Sequence, residues 1–469
     1  MPRSPCAPIA RLAIGDDALV DRAAAALAAD GIAPADTALM ALASAARAHD
    51  RAAADAAIDR LASGQLAVLA TPLRAWAAQE RGGDPFAILA QRPRDAVARR
   101  LAEENRALIL IARGSYDEGL TALRTVLGND QAARGLRIAA AQLLIGAGQE
   151  ERARALLDVP GAARGMRLPA GVKPSLAFGA ARLFVRLAED LAGGGEPVPL
   201  SITLTRAALR AEPGNDRARL LLAATLSRFG RTDRALAVLD GIDRNGIYAA
   251  DANSARLAVL AGAERYDQAI AVATPLAAPQ DAPDSMVAAL ADLLLAADRP
   301  KDAAPVYRRL LERPSAAGRW QPWLQYGAAL DESGDWPAAR AALLHAQQLA
   351  PEEPSVLNYL GYGDLTHGGD SAKALALLER ASALRPDDAA ITDSLGWAYF
   401  RTGNVARALP LLEKAAEAAP DNAEIGEHLG DAYWAAGRRY EARYAWRAAE
   451  VVADEKDRGR IAAKIADGL

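Results

Sequence analysis

The sequence predicts an all-α fold, a superhelical solenoid of roughly ten helix-turn-helix hairpins finished by a C-terminal capping helix. Three observations predict it. Hydrophobic residues make up 51% of the chain but aromatics only 5%, with alanine supplying much of the apolar count. Alanine is the best helix former and lets helices approach closely. A glycine that follows an apolar or aromatic residue recurs every 34 or 35 residues, and a second glycine marks a turn inside most of these intervals.

The repeat is clearest towards the C-terminus. The shared glycines are Gly327, Gly361, Gly396 and Gly430, at intervals of 34, 35 and 34 residues. Pro351, Pro386 and Pro420 open successive units at intervals of 35 and 34. The extra residue falls in "THGGD" (366–370), a turn, where an insertion costs little. The first helices carry the glycine and then, in most units, an apolar or aromatic residue, such as Tyr399 or Tyr433, three positions on. A turn with positive φ is expected at Gly334, Gly403 and Gly437. The second helix brings a small residue (Ala339, Ala374, Ala408, Ala442) and then a large one four positions later (Leu343, Leu378, Leu412, Trp446). Another alanine follows three beyond that (Ala346, Ala381, Ala415, Ala449). Antiparallel helices approach closely where glycine meets a small residue, and the large residues fill the flanking gaps. Proline before the next unit ends the second helix.

This 34-residue unit resembles the tetratricopeptide repeat (TPR). The best copies are 216–249, 320–350, 351–385, 386–419 and 420–453. Weaker copies at 136–158 and 105–123 keep Gly148 and Gly114 at the turn, although Gly119 replaces the alanine in the latter. Residues 250–278 and 284–314 read as helix pairs without the glycine pair, and 16–90 as helical hairpins on periodicity alone. The glycine- and proline-rich stretch 158–175 is the expected boundary, with a second soft spot at 192–199. It would separate a divergent N-terminal region, 1–158, from a C-terminal array, 176–469. Residues 455–468 read as a helix capping the last repeat, with Ile461, Ile465 and Leu469 expected four apart on one face and charges opposite.

Other classes of function find little support. The formal charge is −4 with no basic stripe, which argues against nucleic acid. Cys6 is the only cysteine, and His49, His345, His367 and His428 lie far apart, so neither a disulfide framework nor a metal site is expected. No phosphate-binding, nucleophile-elbow or HExxH motif occurs, so no catalytic residue or cofactor is assigned. No charge-free run exceeds thirteen residues, too short for a membrane span. The opening "MPRSPCAPIARLAIG" lacks the apolar core of a signal peptide. The chain as written is therefore expected in the cytoplasm; a periplasmic or envelope location is the alternative if an N-terminal segment is missing.

What remains is a binding surface. With the shared glycine as position 8, the TPR resemblance implies that positions 2, 5, 9 and 12 line a concave groove. These are Ser355, Asn358, Tyr362 and Leu365, then Ala390, Asp393, Trp397 and Phe400, then Glu424, Glu427, Asp431 and Trp434. The candidate peptide-binding residues are Asn358, Tyr362, Asp393, Trp397, Phe400, Glu424, Glu427, Asp431 and Trp434. The groove is acidic and aromatic, and it lacks the Lys/Asn/Arg set with which TPR co-chaperones hold a terminal carboxylate. Basic or apolar protein segments are the expected partners, unless the tryptophans only stack between repeats. His428 is expected to bond within its own repeat or groove.

The last hundred residues go further. The run from Asp393 to Trp397, with His428 to Asp431, Trp434, Gly437, Glu441, Ala442 and Trp446, is similar to bacterial cell-envelope TPR adaptors that present substrates to processing proteases. The resemblance implies a non-enzymatic scaffold or adaptor, with a helical clamp subunit carrying an enzymatic N-terminal region as the alternative.

Overall fold

The computed structural model describes residues 35–90, 95–127, 131–158, 168–192 and 199–469. These residues form helices joined by short turns, with no strand among them. Cys6, the part of the 16–90 reading before residue 35, and most of both glycine-rich soft spots lie outside the described residues. By compactness the chain divides into two units, 1–265 and 266–469.

The second unit follows the repeat closely. Its hairpins include Trp320–Glu332 with Trp336–Leu349, Pro354–Thr366 with Ser371–Leu384, Ala389–Arg401 with Val405–Ala418, and Ala423–Ala435 with Arg439–Val452. The opening prolines stand at turns, and the first helices then start on side-chain caps: Glu353, Asp388 and Asn422 each accept from backbone N–H groups of the first turn. First helices end on a left-handed glycine, with φ of +90° at Gly334, +76° at Gly368, +83° at Gly403 and +79° at Gly437. The residue after Gly403 donates back to Tyr399 O and the one after Gly437 to Tyr433 O, which satisfies carbonyls the helix end would leave open. Within this unit the helix pair without the glycine signature, Asp284–Ala296 with Pro300–Leu311, turns the same way through Asp298, at φ of +55°. Helix periodicity survives there while the glycine signal is lost.

The shared glycine has a sharper role than contact with alanine. A Cβ on Gly396 would lie 2.8 Å from Leu412 Cγ, and one on Gly361 would lie 2.9 Å from Leu378 Cγ and 3.0 Å from Ala374 O. At Gly430 it would overlap the Trp446 ring. The large residue of the second helix thus seats directly on the glycine, and the alanine brings the backbones together. The aromatic three positions after the glycine also has a partner. Tyr399 donates to Glu379 at 2.6 Å and Tyr433 to Glu413 at 2.7 Å, each reaching the second helix of the preceding repeat. Arg407 and Arg438 lie over these rings at 4.1 and 4.2 Å. Burial first, then the Glu413 carboxylate, pushes the Tyr433 phenol up to about 12, so it remains a donor.

In the first unit helices meet across long stretches of sequence. Leu176–Ala192 packs on Ala70–Glu80, and Pro199–Ala211 packs on Ala35–Ala48. Trp76, fully buried, lies on Gly179, donates to Asn105 Oδ1 at 2.7 Å and meets Phe178 edge-on at 5.5 Å. Segment 168–175 runs along Gln131–Gly146, where Val172 N–H donates to Gln142 O. Residues 168–175 therefore lie inside the first unit, followed by a hairpin that completes its core.

Candidate functional site

The inner face of the second unit is built from three first helices lying side by side, Pro354–Thr366, Ala389–Arg401 and Ala423–Ala435. Trp397 is its centre. The ring stacks on His428 (centroids 3.9 Å apart, 13° between planes) and on Phe400 (4.9 Å, 21°). Two partners that are both nearly parallel to one ring must lie on opposite faces, so Trp397 offers an occupant its edge. His428, buried, takes its place in this stack through Nδ1, 2.9 Å from Asp393 Oδ2 of the preceding repeat. Above the stack, the Tyr362 hydroxyl donates to Glu424 two repeats away. Burial first, and then the Glu424 carboxylate, raises the Tyr362 phenol above its ordinary value and keeps it protonated. Asn358 Oδ1 and Asp393 Oδ1, at equivalent positions of adjacent repeats, are buried acceptors without a hydrogen-bond partner among the described residues.

Asn358, Tyr362, Asp393, Trp397, Phe400 and Glu424 therefore converge on one face. Glu427, Asp431 and Trp434 are covered instead. The last helix, Glu455–Asp467, lies against Arg439–Val452 and reaches over the last repeat. Arg460 pairs with Glu427, and Lys464 lies 2.6 Å from both Glu427 and Asp431. Asp431 also accepts from Trp446 Nε1 at 2.9 Å. Trp434 has Arg439 over its ring at 3.7 Å and Gly468 against its edge. Ile461 is fully buried and Ile465 partly so, whereas Leu469 is exposed rather than on the packed face. Position in the repeat did not reveal this cover; the sequence signal was Arg460 and Lys464 four apart beside Ile461 and Ile465.

If this helix caps the array, deleting 455–469 strips Glu427 and Asp431 of their cations and uncovers Trp446. Amide hydrogen exchange across 420–450 is then expected to accelerate relative to 354–401. Equal protection in the shortened chain would rule out the capping role.

The first unit holds a cavity of about 490 Å³ lined by Glu104, Asn105, Arg182, Arg186, Glu189 and Tyr248, among others. Its charges are paired: Arg186 with Glu104, Arg182 with Glu212 and Arg217 with Glu189. Burial raises the Glu104 carboxyl against the pull of Arg186 and Arg100. No group of three or more His, Cys, Asp or Glu among the described residues is placed to hold a metal ion.

Comparison with known families settles what these hairpins are. A tetratricopeptide repeat model matches residues 288–354, 367–423 and 394–458, and a second matches 202–246. The chain is a tetratricopeptide-repeat protein. TPR arrays are protein-interaction scaffolds, and this is the general class of the chain's function. Among solved structures, this TPR protein is similar to MamA residues 41 to the end from Desulfovibrio magneticus RS-1 (20% identity, 36% of this chain and 94% of that one, TM-score 0.31). It is also similar to the APC/C hetero-tetramer Cut9-Hcn1 (14%, 94% and 91%, TM-score 0.44) and to a TPR protein from Parabacteroides merdae ATCC 43184 (15%, 61% and 98%, TM-score 0.39). No curated protein matches it. No helix of this TPR protein among the described residues is long and apolar enough to cross a membrane.

Proposed function

We propose that the chain is a non-enzymatic adaptor that holds basic protein segments against the inner face of residues 354–435. The observation that carries this reading is the convergence of Tyr362, Asp393, Trp397 and Glu424 from three successive repeats on one surface. Carboxylates in a groove favour cationic segments, steer their approach and make binding sensitive to salt. The similarity of the last hundred residues to envelope adaptors points to presentation of substrates during envelope assembly or proteolysis.

Titration of the full chain with lysine- and arginine-bearing peptides tests this. Affinity is expected to fall between low and physiological salt and to fall again on Glu424→Lys, which leaves folding intact because the residue is exposed. Trp397→Ala removes the middle of the stack and is expected to abolish binding, while Trp434→Ala, beneath the last helix, changes it little. Binding indifferent to both salt and Glu424→Lys would reject the inner face as the site.

A further inference from the structure

The cavity of the first unit has a hydrogen-bonding chemistry of its own. Ala96–Ala112, Gln131–Gly146, Leu176–Ala192 and the turn 243–248 contribute its walls, and at about 490 Å³ it has the size of a small-molecule site. Its charged groups stand in opposite-charge pairs. Arg182 commits both terminal nitrogens to Glu212 and Gln142, Arg217 lies on Glu189, and Arg219 on Asp216. Arg186 and Arg100 share Glu104 and Asp190. Among the described residues Asp243, exposed at the rim, is the one lining carboxylate outside such a pair.

The Glu104–Arg186 pair is incomplete. Glu104, only 7% exposed, accepts from Arg186 Nε at 3.3 Å through Oε1, and Arg100 approaches the same oxygen at 3.5 Å. Arg186 donates from Nε to Glu104 and from Nη1 to Asp190 at 2.9 Å. Glu104 Oε2 and Arg186 Nη2, on two groups in contact, are left without a partner among the described residues. Neither is sealed in protein, as Arg100 Nε is beside them. A carboxylate this buried and still short of a bond is costly. Burial accordingly outweighs both arginines and raises the Glu104 carboxyl.

Whatever completes this pair must bring a donor to Glu104 and an acceptor to Arg186 close together. It must also bring no net charge, because the buried charges already balance. The ammonium and carboxylate of an α-amino acid, carried on one carbon, meet both conditions. An ammonium has three N–H groups to satisfy, and Glu189, three residues beyond Arg186 on the same helix, also keeps Oε2 without a partner. The Tyr248 hydroxyl, likewise without a partner, can donate to the carboxylate: burial pushes the phenol up to about 12 and holds it protonated. Leu108, Leu136 and Leu183 line the cavity as well and suit a large apolar side chain. We infer that the first-unit cavity binds a free α-amino acid with a large apolar side chain, its ammonium on Glu104 and its carboxylate on Arg186. This goes beyond the inner-face reading and stands or falls separately from it.

Calorimetric titration of the full chain with L-leucine, L-phenylalanine and L-tryptophan tests the inference. Saturable binding of at least one is expected. For the tightest, the analogue lacking the carboxylate and the one lacking the ammonium (phenethylamine and 3-phenylpropanoate for phenylalanine) should each bind about tenfold more weakly or worse, since each loses a charge-assisted bond. Glu104→Gln should weaken the amino acid by about as much. Tyr248→Phe removes a hydroxyl that no protein group uses, so the unit should fold, and binding should weaken about fivefold. If Glu104→Gln unfolds the unit by leaving Arg186 unpaired, Tyr248→Phe and the analogues still decide. Absence of saturable binding by all three amino acids, or an analogue that binds as tightly as its amino acid, would overturn the inference. So would binding unchanged by Glu104→Gln, or by Tyr248→Phe where the former does not fold.

Discussion

Trp76→Ala is expected to destabilise the first unit by about 3–5 kcal/mol, as removal of a fully buried tryptophan generally does. The site has little means of collapsing around the loss. Gly179 already brings the opposing backbone onto the ring face, and Phe178 holds the edge. Asn105 would lose the donor to its Oδ1 and be left buried with half its bonds, because its amide still donates to Leu101 O at 2.8 Å. A chain of two compact units need not unfold in one step, so a single melting temperature is a poor readout. Hydrogen exchange followed by mass spectrometry is the suitable measurement. Protection should fall in 35–80 and 176–211 and hold in 354–452. Unchanged exchange in the first unit would mean that Trp76 is not the keystone of that core.

Gly430→Leu is the second large effect. The glycine carries the Trp446 ring, and Trp446 is fully buried with its indole N–H on Asp431. Any side chain at 430 displaces that ring, pulls the indole from Asp431 and strains the contact with Glu455–Asp467. Overpacking of this kind costs about 1–3 kcal/mol and sometimes more. Gly396→Leu should cost less, because Leu412 has rotamers into which it can retreat and an indole has few. Urea denaturation of both variants checks the order. A smaller loss at 430 than at 396 would show that the last hairpin yields more readily than its packing implies.

Much of the second unit was legible because its determinants are local. Gly396, Ala408 and Leu412 lie within one hairpin, and Gly403 and Asn404 encode its turn by backbone conformation and capping. Tyr399 was legible from its recurrence as Tyr433 one repeat on, but not as a tie to Glu379, since the partner is named only once neighbouring repeats are stacked. At the inner face, Phe400 lies one turn from Trp397, and their stacking follows from helical spacing. His428 is a repeat away and closes the other face of that ring through a register that no single helix shows. Glu427 and Asp431 resembled free groove carboxylates for the same reason: Arg460 and Lys464 approach from a helix outside the repeat. In the first unit, Trp76 and Gly179 are separated by about a hundred residues without a shared motif, and nothing local joins them. The glycine signal failed at Asp298 because a left-handed turn is disfavoured, but not forbidden, for a side chain.

The closure of Pro199–Ala211 onto Ala35–Ala48 has a consequence for biosynthesis. A nascent chain emerging from the ribosome can assemble the second unit one hairpin at a time, each new helix pair finding its neighbour already present. The face that Ala35–Ala48 turns to Leu176–Ala192 and Pro199–Ala211 must wait until the helices after residue 176 have been made, several seconds at ordinary elongation rates of about 5–20 residues per second. During that delay Leu39, Leu42 and Ile58, which end up fully buried, are open to chaperones or to the wrong partner. The slow, long-range closure belongs to the first unit, and the fast local one to the second. Polysome-bound chains stalled before residue 176 should therefore be the protease-sensitive and aggregation-prone species, and chains stalled after residue 211 should not.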